Sequence, residues 1–194
     1  MSDLTGMISF FDNLAANWDL CPQEYETREK ITALAGFLPG STLADIGCGR
    51  GVMFEHLLKT DPKEIFAVDV SGEMMKYAQA SYQDSRLTFR NEDFLQAQLP
   101  LLDGAIIYNA YPHFLDKPAL AQKLAQQIRP GGIFVIAHGR GRAIINGTHR
   151  GKTVSPLSTP LEAAETEAQK FTSAFSLTKY IDNDDFYFIK LLRK

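Results

Sequence analysis

The chain lacks most of what would tie it to a membrane or to the cell exterior. Its two cysteines, Cys21 and Cys48, are too few for a disulfide framework, which points to a reduced, cytoplasmic protein. No apolar run approaches the ~20 residues that cross a bilayer, and the longest are strand-sized, so no membrane partner is expected. The opening Met1-Ser2-Asp3-Leu4 has no basic region leading into an apolar core, so no secretion signal is expected. Positive charge is also short: 20 Lys and Arg stand against 23 Asp and Glu, a net charge of -3, which argues against a nucleic-acid partner. Repeats and low-complexity linkers are missing too. The 194 residues therefore suit one domain, with a helical cap over 1–40 and a core over 41–194, as a monomer or homodimer.

One absence is local. Residues 117–161 contain no Asp or Glu, whereas Lys117, Lys123, Arg129, Arg140, Arg142, Arg150 and Lys152 all fall there. Two readings stand side by side: solvated helix faces, or a site that draws an anionic group.

What is present alternates short apolar runs with amphipathic stretches, the pattern of a parallel sheet covered on both faces. Strands are expected at 42–46, 65–70, 86–90, 104–108 and 133–137, with helices at 52–60, 73–82, 118–128 and 161–171. Ser71 is placed to cap the second of these helices, and Arg129-Pro130-Gly131-Gly132 to end the third. Two further strands, 175–181 and 186–192, flank a turn at Asn183-Asp184, and helices at 10–18 and 25–37 precede the sheet. The fold class is α/β, a three-layer α/β/α sandwich whose mostly parallel seven-stranded sheet ends in an antiparallel strand.

Ligands bind such sheets outside the carboxyl ends of the strands. Asp45 with Gly47, Gly49 and Gly51, then Asp69, Asp93, Asn109 and His138, all fall at or just after those ends. The loop reads Gly-x-Gly-x-Gly with an acid two residues ahead, unlike the Gly-x-Gly-x-x-Gly of nicotinamide and flavin proteins. An acid there would repel a pyrophosphate and favour the ammonium and sulfonium of S-adenosylmethionine (SAM), with S-adenosylhomocysteine as product. Asp69 suits a ribose diol. Asp93 suits an adenine amino group, with Phe94 and Met74 covering the ring. Cys48 inside the loop, Val70 beside Asp69 and Asn109 complete the expected cofactor contacts.

With these residues in place the chain resembles a class I SAM-dependent methyltransferase of the small-molecule type. Residues 45–51, Asp69, Asn91-Glu92-Asp93-Phe94, the 103–111 segment and Arg129-Pro130-Gly131-Gly132 carry the likeness. Phe10-Phe11-Asp12 and Trp18-Asp19 resemble the opening of enzymes that include quinone methyltransferases. The resemblance implies methyl transfer to a small acceptor. A polar or anionic molecule is the first expectation, a quinone-like ring methylated on carbon the second, and non-catalytic SAM binding the third.

On the acceptor side, His113, His138 and His149 follow the fourth and fifth strands. They stand as general base, as metal ligands or as plain lining residues; no His-x-His or His-x-x-x-His spacing selects the metal. The resemblance adds a customary histidine after the fifth strand, matched by His138. His138, His113 and Tyr25 are the catalytic candidates; Tyr25, Trp18 and Phe11 are also candidates for a lid over the methyl. Trp18, Tyr111, Arg142, Asn146 and His149 are the candidates for acceptor contact, the last three sharing a face if 140–149 is helical.

Overall fold

The computed structural model describes residues 4–150 and 155–194; Lys152 and Met1 to Asp3 lie outside them. Seven strands form one sheet in the order β3-β2-β1-β4-β5-β7-β6. They are β1 Thr42–Ile46, β2 Glu64–Asp69, β3 Leu87–Asn91, β4 Leu102–Tyr108, β5 Ile128–His138, β6 Phe175–Asp182 and β7 Tyr187–Arg193. The first five pair parallel, and β7 runs antiparallel to both β5 and β6. Because the strands of the left half share one direction, Asp45, Asp69, Asn91 and Tyr108 all reach the same edge.

Successive strand residues serve opposite faces. In β1, Ala44 and Ile46 join the core under α5 (Lys117–Gln127), α6 (Arg142–Thr148) and α7 (Ala164–Gln169), whereas Leu43 joins the other. That second core lies under α2 (Tyr25–Ala35), α3 (Phe54–Leu58) and α4 (Gly72–Ser81). The three layers follow from this alternation. The remaining helix, α1 (Leu4–Leu14), leans on α4 through Asp12, whose Oδ1 accepts from the Ser71 hydroxyl at 2.6 Å and the Glu73 N–H at 3.1 Å.

Several boundaries differ from the sequence expectation. The helix expected at 10–18 starts at Leu4 and tightens into a 3-10 turn at Ala15–Asn17. The one expected at 52–60 is only Phe54–Leu58, because residues 48–54 are consumed by turns in which Gly51 N–H bonds Cys48 and Phe54 N–H bonds Gly51. The one expected at 161–171 is only Ala164–Gln169, since the Asn146 side chain takes both the N–H and the carbonyl of Leu161. Arg129-Pro130-Gly131-Gly132 does follow the end of α5, but it bulges within β5. Leu102 pairs Ile128 and Gly104 pairs Ile133, so the extra residues loop out while both flanks keep their register.

Candidate active site

The glycine loop is held against the end of β2. Gly47 and Cys48 N–H both donate to the Val68 carbonyl, at 2.8 and 3.2 Å. Gly47 sits at φ 73°, and a Cβ there would stand 2.7 Å from that of Ala110, so the position admits only glycine. Asp69 clasps the loop from the other side. Its Oδ2 accepts from Gly49 N–H at 2.8 Å and its Oδ1 from Ser71 N–H at 2.8 Å. Burial raises the Asp69 pKa above the usual carboxylate range, against the pull of those backbone donors. Ser71 in turn caps α4 by accepting from Met74 N–H, as its sequence position predicts.

Asp45 lies beneath the loop rather than on the cavity wall. It is 1% exposed, and its Oδ2 has no partner among the described residues. Burial first, and the Asp69 charge second, push its pKa up to about 8. A buried carboxyl without a donor is costly, and a cationic group above the loop would relieve it. The adjacent Cys48 thiol is likewise pushed well up by burial, its sulfur 3.6 Å from that of Met75.

A cavity of about 210 Å³ opens along this sheet edge. Gly47, Cys48, Gly49, Asp69, Val70 and Met74 form one wall, and Asp93 and Phe94 continue it beyond β3. Asp93 is fixed by accepting from Leu95 N–H at 3.0 Å. Asn109 and His113, following β4, form the far wall. Asn109 adopts φ 54°, which lets its Oδ1 accept from Gly139 N–H at 3.0 Å. The roof is the N-terminal segment, including Phe11, Trp18, Cys21, Glu24 and Arg28. Arg50 clips it down by donating to the Ala15 carbonyl at 3.2 Å while its guanidinium lies 4.3 Å over the Tyr77 ring.

Two roof residues escaped the sequence reading. Glu24 is buried, and its Oε2 accepts from the Tyr108 hydroxyl at 2.8 Å and from Asn109 Nδ2 at 3.3 Å. Its Oε1 accepts from Arg140 Nε at 2.9 Å. Arg28, also buried, donates to the Leu20 and Cys21 carbonyls at 3.3 and 3.1 Å. One signal was available: residues 117–161 hold cations without acids, so a buried partner for them had to come from elsewhere in the chain.

Several expected site residues are not on the cavity. Tyr25 faces outward on α2, donating to Glu55 Oε1 at 2.5 Å and accepting from Lys59 Nζ at 2.8 Å. Tyr111 points into the core, where its hydroxyl donates to buried Glu167 at 2.7 Å. Arg142 is spent on Asp182 at 2.9 Å, and Asn146 pins both the N–H and the carbonyl of Leu161. Three cations of the acid-free stretch are paired from outside it, Arg140 by Glu24, Arg142 by Asp182 and Arg129 by Asp103. His138 is 1% exposed beside Tyr187 and off the cavity wall; burial drives its pKa down to about 3. His113 does line the cavity, edge-on to Phe11 with ring centroids 5.0 Å apart, and burial lowers its pKa to about 4. His149 stands directly behind it. Among the described residues no helix is long and apolar enough to cross a membrane.

The sheet order and the reversed β7 give the fold shared with solved SAM-dependent methyltransferases, and the glycine loop clasped by Asp69 lies within the span that a family model matches. Residues 44–136 match the family described as a methyltransferase domain, a span running from β1 into β5. A curated relative, the 2-methyl-6-phytyl-1,4-hydroquinone methyltransferase of Synechocystis sp., is 31% identical over 104 residues, 51% of this chain and 32% of the relative. The chain spans 32% of that relative's length and 39% of an O-methyltransferase of Pyrenophora dematioidea that it also matches. Among solved structures, the N-methyltransferase NodS of Bradyrhizobium japonicum, in complex with S-adenosyl-L-homocysteine, superposes with a TM-score of 0.73 at 16% identity, covering 96% of this chain and 97% of that one. A SAM-dependent methyltransferase of Aquifex aeolicus gives 0.74 at 15% identity, over 96% and 98%. At these identities the structural likeness speaks for the fold.

Proposed function

We propose that the chain transfers a methyl group from SAM to a small ring compound of largely apolar character. The observation that carries the cofactor half is the Asp69 clasp: one buried carboxylate holds the glycine loop with one oxygen and the start of α4 with the other, at the cavity wall. Both oxygens retain acceptor capacity for a ribose diol. Asp93 and Asp69 on the wall add negative potential suited to a cationic ligand and hostile to a pyrophosphate, and a bound cation would favour ionisation of Asp45 beneath the loop. Bound SAM would supply an electrophilic methyl on a sulfonium centre.

In this reading Asp93 accepts from the adenine amino group, with Phe94 and Met74 packing its ring, and Arg28 faces the methionine carboxylate from the roof. Gly47, Cys48, Val70 and Asn109 shape the rest of that surface. The roof residues Phe11 and Trp18 exclude water, and the walls align acceptor and methyl for in-line displacement, which can supply most of the rate.

Of the basic groups expected to receive an anionic acceptor, Arg140, Arg142 and Arg129 are already paired with Glu24, Asp182 and Asp103. What remains at the acceptor end is Phe11, Trp18, Phe114 and Leu115 with one imidazole, His113. That lining favours a ring such as a hydroquinone or phenol over a carboxylate or phosphate, in keeping with the hydroquinone enzyme among the relatives. A screen of hydroquinones, phenols, thiols and carboxylates, read by S-adenosylhomocysteine production, tests this. Turnover confined to carboxylates would overturn the ring assignment.

A further inference from the structure

His113 and His149 come from different elements, the turn after β4 and the end of α6. Their Nε2 atoms nevertheless stand 3.4 Å apart, with the rings edge to face. Each ring is anchored through its other nitrogen. His113 Nδ1 lies 2.8 Å from the Leu157 carbonyl oxygen, and His149 Nδ1 lies 2.8 Å from that of Ile145. A carbonyl oxygen can only accept, so both Nδ1 atoms carry the ring protons. Both Nε2 atoms therefore present lone pairs to each other. Two facing lone pairs repel unless an electrophile stands between them.

The spacing says which electrophile fits. Two nitrogens bound to one tetrahedral cation at about 2.05 Å are separated by a chord of about 3.4 Å. A backbone carbonyl on the far ring nitrogen is also the arrangement that fixes the tautomer and aim of metal-bound histidines. His138 is buried close enough to interact electrostatically with both rings, and neither of its nitrogens has a partner among the described residues. A polar occupant in this region would serve it as well.

We propose that His113 and His149 form a two-histidine pincer for a divalent transition cation of zinc-like softness at the acceptor end of the cavity. Among the described residues no set of three or more His, Cys, Asp or Glu is arranged around one point. The cation's other positions thus go to water or to an acceptor oxygen or sulfur, and His113 opens them onto the cavity. The site stands on the two rings and their anchors, not on the methyl-transfer reading.

The test uses the full chain without an affinity tag, titrated with cobalt(II) chloride and then zinc chloride. Expected are a saturable one-to-one complex with tetrahedral cobalt absorbance and displacement by zinc. His113→Gln and His149→Gln should each weaken binding about tenfold or more, while His56→Gln, buried on α3 beside Tyr25 and on no wall of this cavity, should not. Ring-nitrogen NMR of the unsubstituted chain provides a measurement independent of variant folding: zinc should shift both Nε2 signals and neither Nδ1. Absence of cobalt binding, binding indifferent to both variants, or a proton shared between the two Nε2 atoms with no metal uptake would each overturn the proposal. Parallel calorimetry with S-adenosylhomocysteine separates this failure from failure of the methyltransferase reading.

Discussion

Replacing Glu24 by Gln probes the junction between roof and sheet. The carboxylate takes three hydrogen bonds, from Tyr108 at 2.8 Å, Asn109 at 3.3 Å and Arg140 at 2.9 Å. A glutamine oxygen in the Oε2 position keeps the first two, but its amide then faces the Arg140 Nε–H, donor against donor. A charge-assisted bond contributes about 1.5–3 kcal/mol. The Arg140 side chain is 39% exposed and rehydrates when released, so the expected loss is discounted to about 1–2 kcal/mol. For a chain of this length each kcal/mol lowers Tm by about 2–4 °C, giving a fall of about 2–8 °C. Arg140→Gln alone should cost at least as much, because it strands a buried carboxylate. The double variant should be less destabilised than the sum of the two by about 1 kcal/mol. Thermal and urea unfolding of all four proteins provide the measurement. Strict additivity, or a Glu24→Gln protein as stable as the parent, would refute the coupling inferred from these distances.

Two further outcomes follow from the same geometry. A Cβ at Gly139 would run into the Glu24 carboxylate and the Tyr108 hydroxyl, so Gly139→Ala should lower stability by about 1–3 kcal/mol; an unchanged Tm would mean that Glu24 does not sit over this turn. Asp45, with a folded pKa of about 8 against an unfolded value near 3.9, keeps a proton in the folded state that the unfolded chain has shed. Its stabilising effect is complete below about pH 4 and is lost as pH rises to about 8, at up to about 1.4 kcal/mol per pH unit. Asp45→Asn removes that slope, so its Tm should gain on the parent's between pH 5 and pH 8. Parallel Tm curves for the two proteins would contradict the buried, donorless carboxyl.

The sheet and its ligand edge were legible because strand periodicity and glycine placement are local signals. Asp69, Asp93 and Asn109 had only to end successive parallel strands to reach one cavity. The roof was harder for a reason of angle. Glu24 closes a 3-10 turn, Pro22–Glu24, and Tyr25 opens α2, so one step along the chain swings the side chain from the cavity to the outside. Glu24 and Arg28, four apart, share the inward face. The basic stretch misled because its counter-charges, Glu24, Asp103 and Asp182, are remote in sequence and become neighbours only in the fold. The histidines show the same limit. Nothing in the spacing of His113 and His149 reveals that their Nε2 atoms meet, since Leu157 and Ile145 carbonyls set both rings.

The central claim is that the loop clasped by Asp69 holds an adenosyl ligand. Calorimetric titration of the full chain with S-adenosylhomocysteine, and with NADH as the alternative, tests it most directly. The account predicts saturable one-site binding of the adenosyl ligand and no NADH binding. Asp69→Ala removes two charge-assisted acceptors and should weaken affinity by about 3 kcal/mol, roughly a hundredfold. No heat with S-adenosylhomocysteine, tighter binding of NADH, or affinity unchanged in Asp69→Ala would contradict it.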